Sequence, residues 1–298
     1  MPREVLQHLR FKGIKPRTAK LYKREITRFF AFLASENLSI PSKEEKLDEE
    51  VAEFINVLYQ EGDSISHAGW LLSGLKRFMP QLRHKLPTAQ QFFNKWQRDH
   101  CPKRAVPMPW NVLRTMAGIA WEAQHYDLAL LLLIGFSFYL RSMEMLTLGS
   151  DAVQVDTSRG VTFVTLFQTK TSRQFQQSLA FRNAALAKIV ALAKAKIAPG
   201  PLWKFGPAAF RHSFAALLEH LSLTPMGFSL YSLRRGGATF AYLRSHNLDR
   251  VAIQGRWKDH RTAKIYLDDA RAELLRQELP QSFWSHSRRV AVIWQNVG

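Results

Sequence analysis

The sequence predicts a mainly α-helical protein of two domains, with a small β-hairpin or sheet in the second domain. Apolar residues recur at intervals of three and four through the segment 16–37, as on one helix face, at Tyr22, Ile26, Phe29 and Leu33. The stretch Asp99–Trp110 holds three prolines without any periodic pattern, which is typical of a linker. Runs rich in β-forming residues occur at Val161–Phe167 and Phe175–Phe181. We therefore expect a helical domain over residues 1–103 and a mixed domain over 104–298.

The remaining elements follow from the same periodicities. A second helix has acidic residues near its start, where the helix dipole favours them, and apolar residues at Leu47, Val51, Phe54 and Leu58. The first domain continues with helices expected at 66–78 and 89–98. The second domain is expected to begin with helices at about 109–121 and 126–140, followed by a hairpin whose turn carries Lys170 and Arg173. Helical patterns return from Asn183 onward, with interruptions at 198–201 and 224–227.

The chain is strongly basic for a globular protein. Its 298 residues have a formal net charge of +18 and a hydrophobic content of 46%. A chain with this charge favours an extended polyanion as its partner, and nucleic acid is a better fit than a membrane surface. The longest apolar run, Leu128–Leu140, has thirteen residues. This is fewer than the roughly 20 that cross a bilayer, so the run predicts a buried helix and no membrane association.

Composition also bears on compartment and cofactors. The N-terminal residues lack the apolar stretch of a secretory signal, and the single cysteine, Cys101, excludes an internal disulfide. Both features fit an intracellular protein that works with DNA in a nucleus or nucleoid. No HExxH, CxxC or GxxxxGK[ST] pattern occurs. We therefore expect neither a metal nor a cofactor.

Four separated stretches carry side chains suited to phosphate chemistry. They are "FYLRSMEMLTL" with Arg141 and Glu144, the hairpin with Lys170, "YSLRRGGATFA" with Tyr231 and Arg234, and "RWKDHRTAKIYL" with Trp257 and Tyr266. Taken singly, each residue also fits a structural role, such as a surface ion pair or a core aromatic residue. The two glycines after Arg235 permit either close backbone packing or approach to a ligand, at a cost in helix stability.

In combination, the order and spacing of these residues resemble the tyrosine recombinase (phage integrase) family. That family has an arginine with a glutamate three residues later, then a lysine in a β-hairpin. A box of the form HxLRHxxAT follows, and a histidine or tryptophan precedes the tyrosine nucleophile by nine residues. The corresponding residues here are Arg141, Glu144, Lys170, Arg234 within "YSLRRGGAT", Trp257 and Tyr266. The resemblance covers about residues 104–270, and the helical block before it looks like the family's core-binding (SAM-like) domain.

The resemblance implies cleavage and rejoining of DNA through a covalent 3′-phosphotyrosine at Tyr266. Two arginines, Arg141 and Arg234, would clamp the nonbridging oxygens with charge-assisted hydrogen bonds. A lysine whose pKa is lowered by neighbouring arginines, Lys170, would protonate the leaving 5′ oxygen. Trp257 would pack or hydrogen-bond at the phosphate, and Glu144 would hold an arginine or its helix in place.

One position departs from the family pattern. Tyr231 stands where the HxLRHxxAT box has its first histidine. A phenol can donate a hydrogen bond to a phosphate oxygen, but with a pKa near 10 it is a poor proton acceptor at neutral pH. Either the site works with weaker base assistance or its activity is reduced. His212 and His260 are the candidates to replace the missing base.

Basic residues outside these motifs are candidates for contacts to duplex DNA. Such contacts position a protein on DNA without reading its sequence. The candidates are Lys20, Lys23, Arg24, Arg28, Arg173, Arg235, Arg256 and Lys258. The resemblance further implies a homo-tetramer on paired sites. The apolar tail after Tyr266 would then pass to a neighbouring subunit or fold back on its own domain.

Two other functions fit the same residues. One is a catalytically reduced DNA-binding protein that keeps the recombinase fold, which the tyrosine at position 231 favours. The other is a type IB-like topoisomerase that acts as a monomer.

Overall fold

The computed structural model describes residues 13–100, 104–167 and 176–297. The chain divides into two compact units, Met1–Lys103 and Arg104–Gly298. The structure is mainly helical with one small antiparallel sheet, so the expected fold class is confirmed. The described helices of the first unit are α1 (Pro16–Ser35), α2 (Glu44–Gln60), α3 (Ile65–Phe78) and α4 (Pro87–Asp99), with a 3-10 turn at Pro80–His84.

The first unit packs α1 against α3 and α2 against α4 around one apolar core. The apolar face expected on α1 contributes Phe29 and Leu33, which are fully or almost fully buried. Asp48 on α2 is also buried, and its carboxylate accepts hydrogen bonds from the backbone N–H groups of Thr88 and Ala89 at 2.8 and 2.9 Å. These are free N–H groups in the first turn of α4, so Asp48 fixes the start of that helix.

The second unit contains the remaining helices and the sheet. Its described elements are α5 (Trp110–Glu122), α6 (Tyr126–Ser137), α7 (Ser142–Leu146), β1 (Val153–Asp156), β2 (Val161–Leu166), β3 (Gln177–Arg182), α8 (Ala184–Lys196), α9 (Pro207–His220), α10 (Leu230–Ser245), α11 (Leu248–Gly255), α12 (His260–Lys264), α13 (Asp269–Gln277) and α14 (Gln281–Val297), with a 3-10 turn at Thr224–Met226.

The sheet has the order β1-β2-β3 and is antiparallel throughout. Strands β2 and β3 form the expected hairpin, with Val161 opposite Arg182 and Leu166 opposite Gln177. Strand β1 was not predicted, because its four residues are too short to establish an alternating pattern. Lys170 and Arg173, expected at the hairpin turn, lie outside the described residues.

Helix α6 runs through the core of the second unit, as expected of a buried helix. All of its residues from Leu128 to Ser137 are buried, and α5, α8 and α10 pack around it. None of the helices in the described part of the chain is both long and apolar enough to cross a membrane.

The C-terminal helix α14 folds back on its own unit in this structure. It packs against α5, where Phe283 is fully buried. Trp294 donates a hydrogen bond through Nε1 to the carbonyl of Arg114 at 3.2 Å. At Gly118 the two helices approach so closely that a Cβ atom would lie 2.6 Å from Cβ of Val290.

Candidate active site

Helix α10 approaches its neighbours through two glycines. A Cβ atom on Gly237 would lie 2.0 Å from the carbonyl oxygen of Phe136, near the end of α6. A Cβ atom on Gly236 would lie 2.2 Å from the carbonyl oxygen of Met108. No side chain fits at such distances, so in the sequence "RRGG" the glycines serve backbone packing. This packing brings the preceding arginine, Arg234, to the C-terminal end of α6.

The end of α6 presents a carbonyl group to that arginine. Tyr139 adopts a left-handed conformation with φ of 47°, and the N–H of Leu140 donates back to the carbonyl of Gly135 at 2.9 Å. This geometry closes the helix and leaves the carbonyl of Tyr139 available to side chains of other elements. It accepts hydrogen bonds from Nη1 of Arg234 and, at 3.5 Å, from Nη2 of Arg256. Cations are favoured at the negative end of a helix dipole.

Arg234 is fully buried beneath two aromatic rings. Besides Tyr139, its guanidinium donates to the carbonyl of Gly255 at 2.9 Å. The guanidinium carbon lies 4.8 Å from the ring centre of Trp257 and 5.2 Å from that of Tyr266. Burial, together with the positive charges of Arg141 and Arg256, lowers the pKa of Arg234 to about 10. The side chain therefore keeps its charge at neutral pH and places it directly under the rings.

Glu144 joins two further arginines. One carboxylate oxygen accepts from Nη1 of Arg141 at 2.6 Å, and the other accepts from Nη2 of Arg256 at 2.9 Å. The same carboxylate accepts from the backbone N–H of Arg141 at 2.9 Å and so caps α7. Burial raises the pKa of Glu144, but the two arginines outweigh it, and the net shift is downward. Glu144 is thus a buried anion that orients Arg141, whose side chain stays 26% exposed.

The turn after α11 positions Trp257. Arg256 ends that helix in a left-handed conformation, with φ of 58°, and the N–H of Trp257 donates to the carbonyl of Ala252 at 3.0 Å. The indole stacks on Tyr139 at 6.3 Å and contacts Tyr266 at 4.5 Å between ring centres. Its Nε1 is buried and makes no hydrogen bond of good geometry within the described part of the chain, but the indole lies close enough to the Tyr266 phenol to help lower its pKa.

Tyr266 follows the short helix α12 and is held through its backbone. Its N–H donates to the carbonyl of Ala263 at 2.9 Å, and its carbonyl accepts from Oγ1 of Thr239 at 3.2 Å. The phenol is partly exposed, and its oxygen accepts a hydrogen bond from the hydroxyl of Tyr231 at 2.5 Å. Burial raises the pKa of Tyr266, but the hydrogen bond from Tyr231 and the charge of Arg234 prevail and lower it.

The structure brings together six of the residues singled out in the sequence, which are Arg141, Glu144, Tyr231, Arg234, Trp257 and Tyr266. Lys170 lies outside the described residues. His260 forms an ion pair with Asp249 at 2.7 Å, and His212 is exposed on α9. The carbonyls of Tyr139 and Gly255 were not predicted, because the direction of a carbonyl depends on backbone conformation and not on residue type.

Two residues expected at a DNA surface are instead buried, which corrects that expectation. The guanidinium of Arg235 donates to the carbonyl of Ala105 at 2.7 Å, and only 4% of its side chain is exposed. The side chain of Arg256 is 7% exposed and pairs with Glu144. In this structure both guanidiniums bond within the fold and neither faces solvent, as a surface contact to DNA would.

The other expected DNA contacts lie at the surface to different extents. Lys258 is exposed on the second unit, and Lys20 and Lys23 are exposed on α1. On the same helix Arg24 and Arg28 pair with the fully buried Glu25, and Arg28 also pairs with Asp63 at 2.7 Å. Arg173 lies outside the described residues. Within the described ranges, no cluster of three or more His, Cys, Asp or Glu residues is arranged to hold a metal ion.

Solved structures of DNA-bound site-specific recombinases have the same fold. This chain is similar to a lambda integrase dimer bound to a COC′ core site, with 14% identity and a TM-score of 0.60 over 90% of this chain and 76% of that one. It is also similar to the XerH site-specific recombinase bound to a palindromic difH substrate, with 15% identity and a TM-score of 0.58 over 83% and 75% of the two chains.

A third similar structure is the Tn1549 transposon integrase in complex with circular intermediate DNA, with 15% identity and a TM-score of 0.58 over 91% and 97% of the two chains. No family model and no curated protein sequence matches the chain. The chain therefore has the fold of site-specific recombinases and integrases, as the motif order predicted.

Proposed function

We propose that this protein is a site-specific DNA recombinase that cleaves and rejoins duplex DNA through a covalent 3′-phosphotyrosine at Tyr266. The observation that carries this proposal is the position of the Tyr266 phenol. It lies over the buried cation of Arg234, against Trp257, and has a lowered pKa. A tyrosine so placed is activated as a nucleophile.

The reaction is a phosphoryl transfer without a cofactor. Oη of Tyr266 forms a bond to phosphorus while the bond from phosphorus to the 5′ oxygen breaks. We assign the proton for that oxygen to Lys170 on the sequence alone. Rejoining reverses these steps, and the energy of the broken bond is kept in the phosphotyrosine.

The arginines take different parts in this scheme. Arg141 is partly exposed and oriented by Glu144, which suits direct contact with a nonbridging oxygen. Arg234 is covered by Trp257 and Tyr266, so a phosphate reaches its guanidinium only when Tyr266 turns toward the DNA. Until then Arg234 contributes its charge at the nucleophile. Exposed lysines such as Lys258 and Lys20 would hold the DNA backbone.

A nicked suicide duplex tests the nucleophile. The wild-type chain should leave a protein–DNA adduct that survives a denaturing gel, and Tyr266→Phe should bind the same DNA without an adduct. Tyr242→Phe, on α10 and against His246, is the matched control and should still form the adduct. An adduct with Tyr266→Phe would refute the assignment.

A second function is favoured by one observation. The pKa of Tyr231 is raised to about 12, so the residue in the usual histidine position is not a proton acceptor at neutral pH. A DNA-binding protein without cleavage activity would fit this. Absence of an adduct on a verified binding site would establish that alternative. Plasmid relaxation without recombinant products would instead indicate a type IB-like topoisomerase.

We also propose that the recombinase acts as a homo-tetramer on paired sites. In the structure α14 packs on its own unit through Phe283 and Trp294. Exchange of that helix between subunits would require it to leave this position. Light scattering of the chain with and without paired-site DNA measures the assembly.

A further inference from the structure

The hydroxyl of Tyr231 lies directly against the hydroxyl of Tyr266. The two oxygens are 2.5 Å apart, and the ring centres are separated by 5.8 Å. Tyr231 is in the first turn of α10, one turn before Arg234, so the two side chains lie on the same helix face. This places Tyr231 at the reacting atom of the proposed nucleophile rather than at a separate part of the site.

The direction of this hydrogen bond follows from the surroundings of the two phenols. Tyr266 packs against Trp257 and lies over the guanidinium of Arg234. The positive charge beneath its ring favours an anion on Tyr266, so Tyr231 is the donor. Burial and this hydrogen bond together raise the pKa of Tyr231, whereas the hydrogen bond and the charge of Arg234 lower that of Tyr266 despite its burial.

Charged groups reach this pair from several elements. Arg234 comes from α10, while Arg141 and Glu144 come from the start of α7 and Arg256 from the end of α11. The positive charges of Arg234 and Arg141 act to lower the pKa of Tyr231. The negative charge of Glu144 partly offsets the effect of Arg141 and Arg256 on the pKa of Arg234. Lys170 lies outside the described residues. The net charge of these groups is positive, which stabilises a phenolate at Tyr266.

We propose that Tyr231 is a catalytic residue that activates Tyr266 by donating a hydrogen bond to its phenolate, in place of proton removal by a histidine. This inference rests on the proposed function, because Tyr266 must be the nucleophile. It gives Tyr231, the residue that departs from the HxLRHxxAT box, a definite part in the reaction.

The protons balance without a protein base. The Tyr266 phenol loses its proton to solvent water, and Tyr231 keeps its own proton and stabilises the resulting anion. Oη of Tyr266 then attacks phosphorus, and the 5′ oxygen leaves with the bonding electrons and takes a proton from Lys170, as in the proposed function. As negative charge leaves Oη in the attack, the Tyr231 hydroxyl becomes free to donate to a nonbridging oxygen.

The pH dependence of cleavage tests this role. Single-turnover cleavage of a suicide duplex is measured from about pH 6 to about pH 10 for the wild type, Tyr231→Phe and the control Tyr242→Phe. In Tyr231→Phe we expect cleavage to be roughly tenfold or more slower near pH 7, with the loss shrinking as pH rises, because each unit of pKa changes the phenolate fraction tenfold. An equal loss at every pH would overturn the proposal, because it would leave Tyr231 as a phosphate contact alone, without a part in activating Tyr266.

A measurement without DNA separates this inference from the proposed function. Nuclear magnetic resonance of the full chain with isotope-labelled tyrosine follows the titration of each of its seven tyrosines. Tyr266 should titrate at higher pH in Tyr231→Phe than in the wild type, and Tyr242→Phe should leave it unchanged. An unchanged Tyr266 titration in Tyr231→Phe would refute the inference. A wild type without cleavage activity would refute the proposed function while leaving this result intact.

Discussion

Arg234 supports the fold of the second unit as well as the chemistry, which predicts that Arg234→Ala is strongly destabilising. Its side chain is fully buried and donates to the carbonyls of Tyr139 and Gly255. It also lies under the rings of Trp257 and Tyr266. Alanine would leave these carbonyls short of donors and a cavity beneath the rings.

The magnitude follows from these contacts. A hydrogen bond with a charged donor contributes about 1.5 to 3 kcal/mol, and a desolvated cation–π contact contributes up to about 2 kcal/mol. Removal of the charge also relieves the repulsion from Arg141 and Arg256 that helps lower the pKa of Arg234. We therefore expect Arg234→Ala to lower the free energy of unfolding by roughly 2 to 5 kcal/mol.

Urea unfolding followed by tryptophan fluorescence measures this loss. The chain has two units, so the transition that reports on the second unit is fitted separately. Arg141→Ala is the matched control, because its side chain is 26% exposed and its side-chain hydrogen bond is to Glu144. We expect the control to lose less stability than Arg234→Ala, because Glu144 keeps its second partner, Arg256. Both variants should lose cleavage. An unchanged urea midpoint for Arg234→Ala would refute the structural part of the argument.

Two further predictions concern packing and pH. Gly237→Ala should lower the free energy of unfolding by about 2 kcal/mol or more, because its Cβ would meet the carbonyl oxygen of Phe136 at 2.0 Å. Gly69→Ala is its control and should change stability by less than about 1 kcal/mol, since its Cβ would meet the Phe93 ring at an ordinary 3.4 Å. Glu144 has a folded-state pKa below its ordinary value of 4.5, so its stabilising contribution is present above that pH and is lost as pH falls through the folded pKa. Acid titrations of unfolding should therefore show a shallower decline in Glu144→Gln than in the wild type, and parallel curves would contradict this.

Helices and strands could be predicted wherever apolar residues recur at regular intervals along the chain. The helix expected over 16–37 ends at Ser35, and that expected at 66–78 begins at Ile65. The buried Glu25 was not predicted. It lies on the apolar face of α1, where a carboxylate is costly unless paired, and Arg24 contacts it at 2.7 Å. Pairing of this kind depends on which side chains lie nearby in the fold, so a periodic apolar pattern does not predict it.

Candidate site residues were recognisable from their types and spacing, whereas their roles were not. Arg235 and Arg256 look like surface cations in the sequence, yet both are buried. Which guanidinium faces solvent depends on the path of the backbone around it. Tyr231 looks like an imperfect substitute for histidine, and its contact with Tyr266 became visible only in three dimensions.

The sequence by itself determined the mainly helical fold, the basic charge and the order of the motifs, because these depend on periodicity and composition along the chain. The tertiary structure alone decided how the site is assembled. Arg234 meets the carbonyl of Tyr139 across 95 residues, and Tyr231 meets Tyr266 across 35. The first contact requires the close approach of α10 and α6 at Gly237. The second requires the turn that positions Tyr266. Such contacts depend on how separate elements pack, and local sequence does not encode that packing.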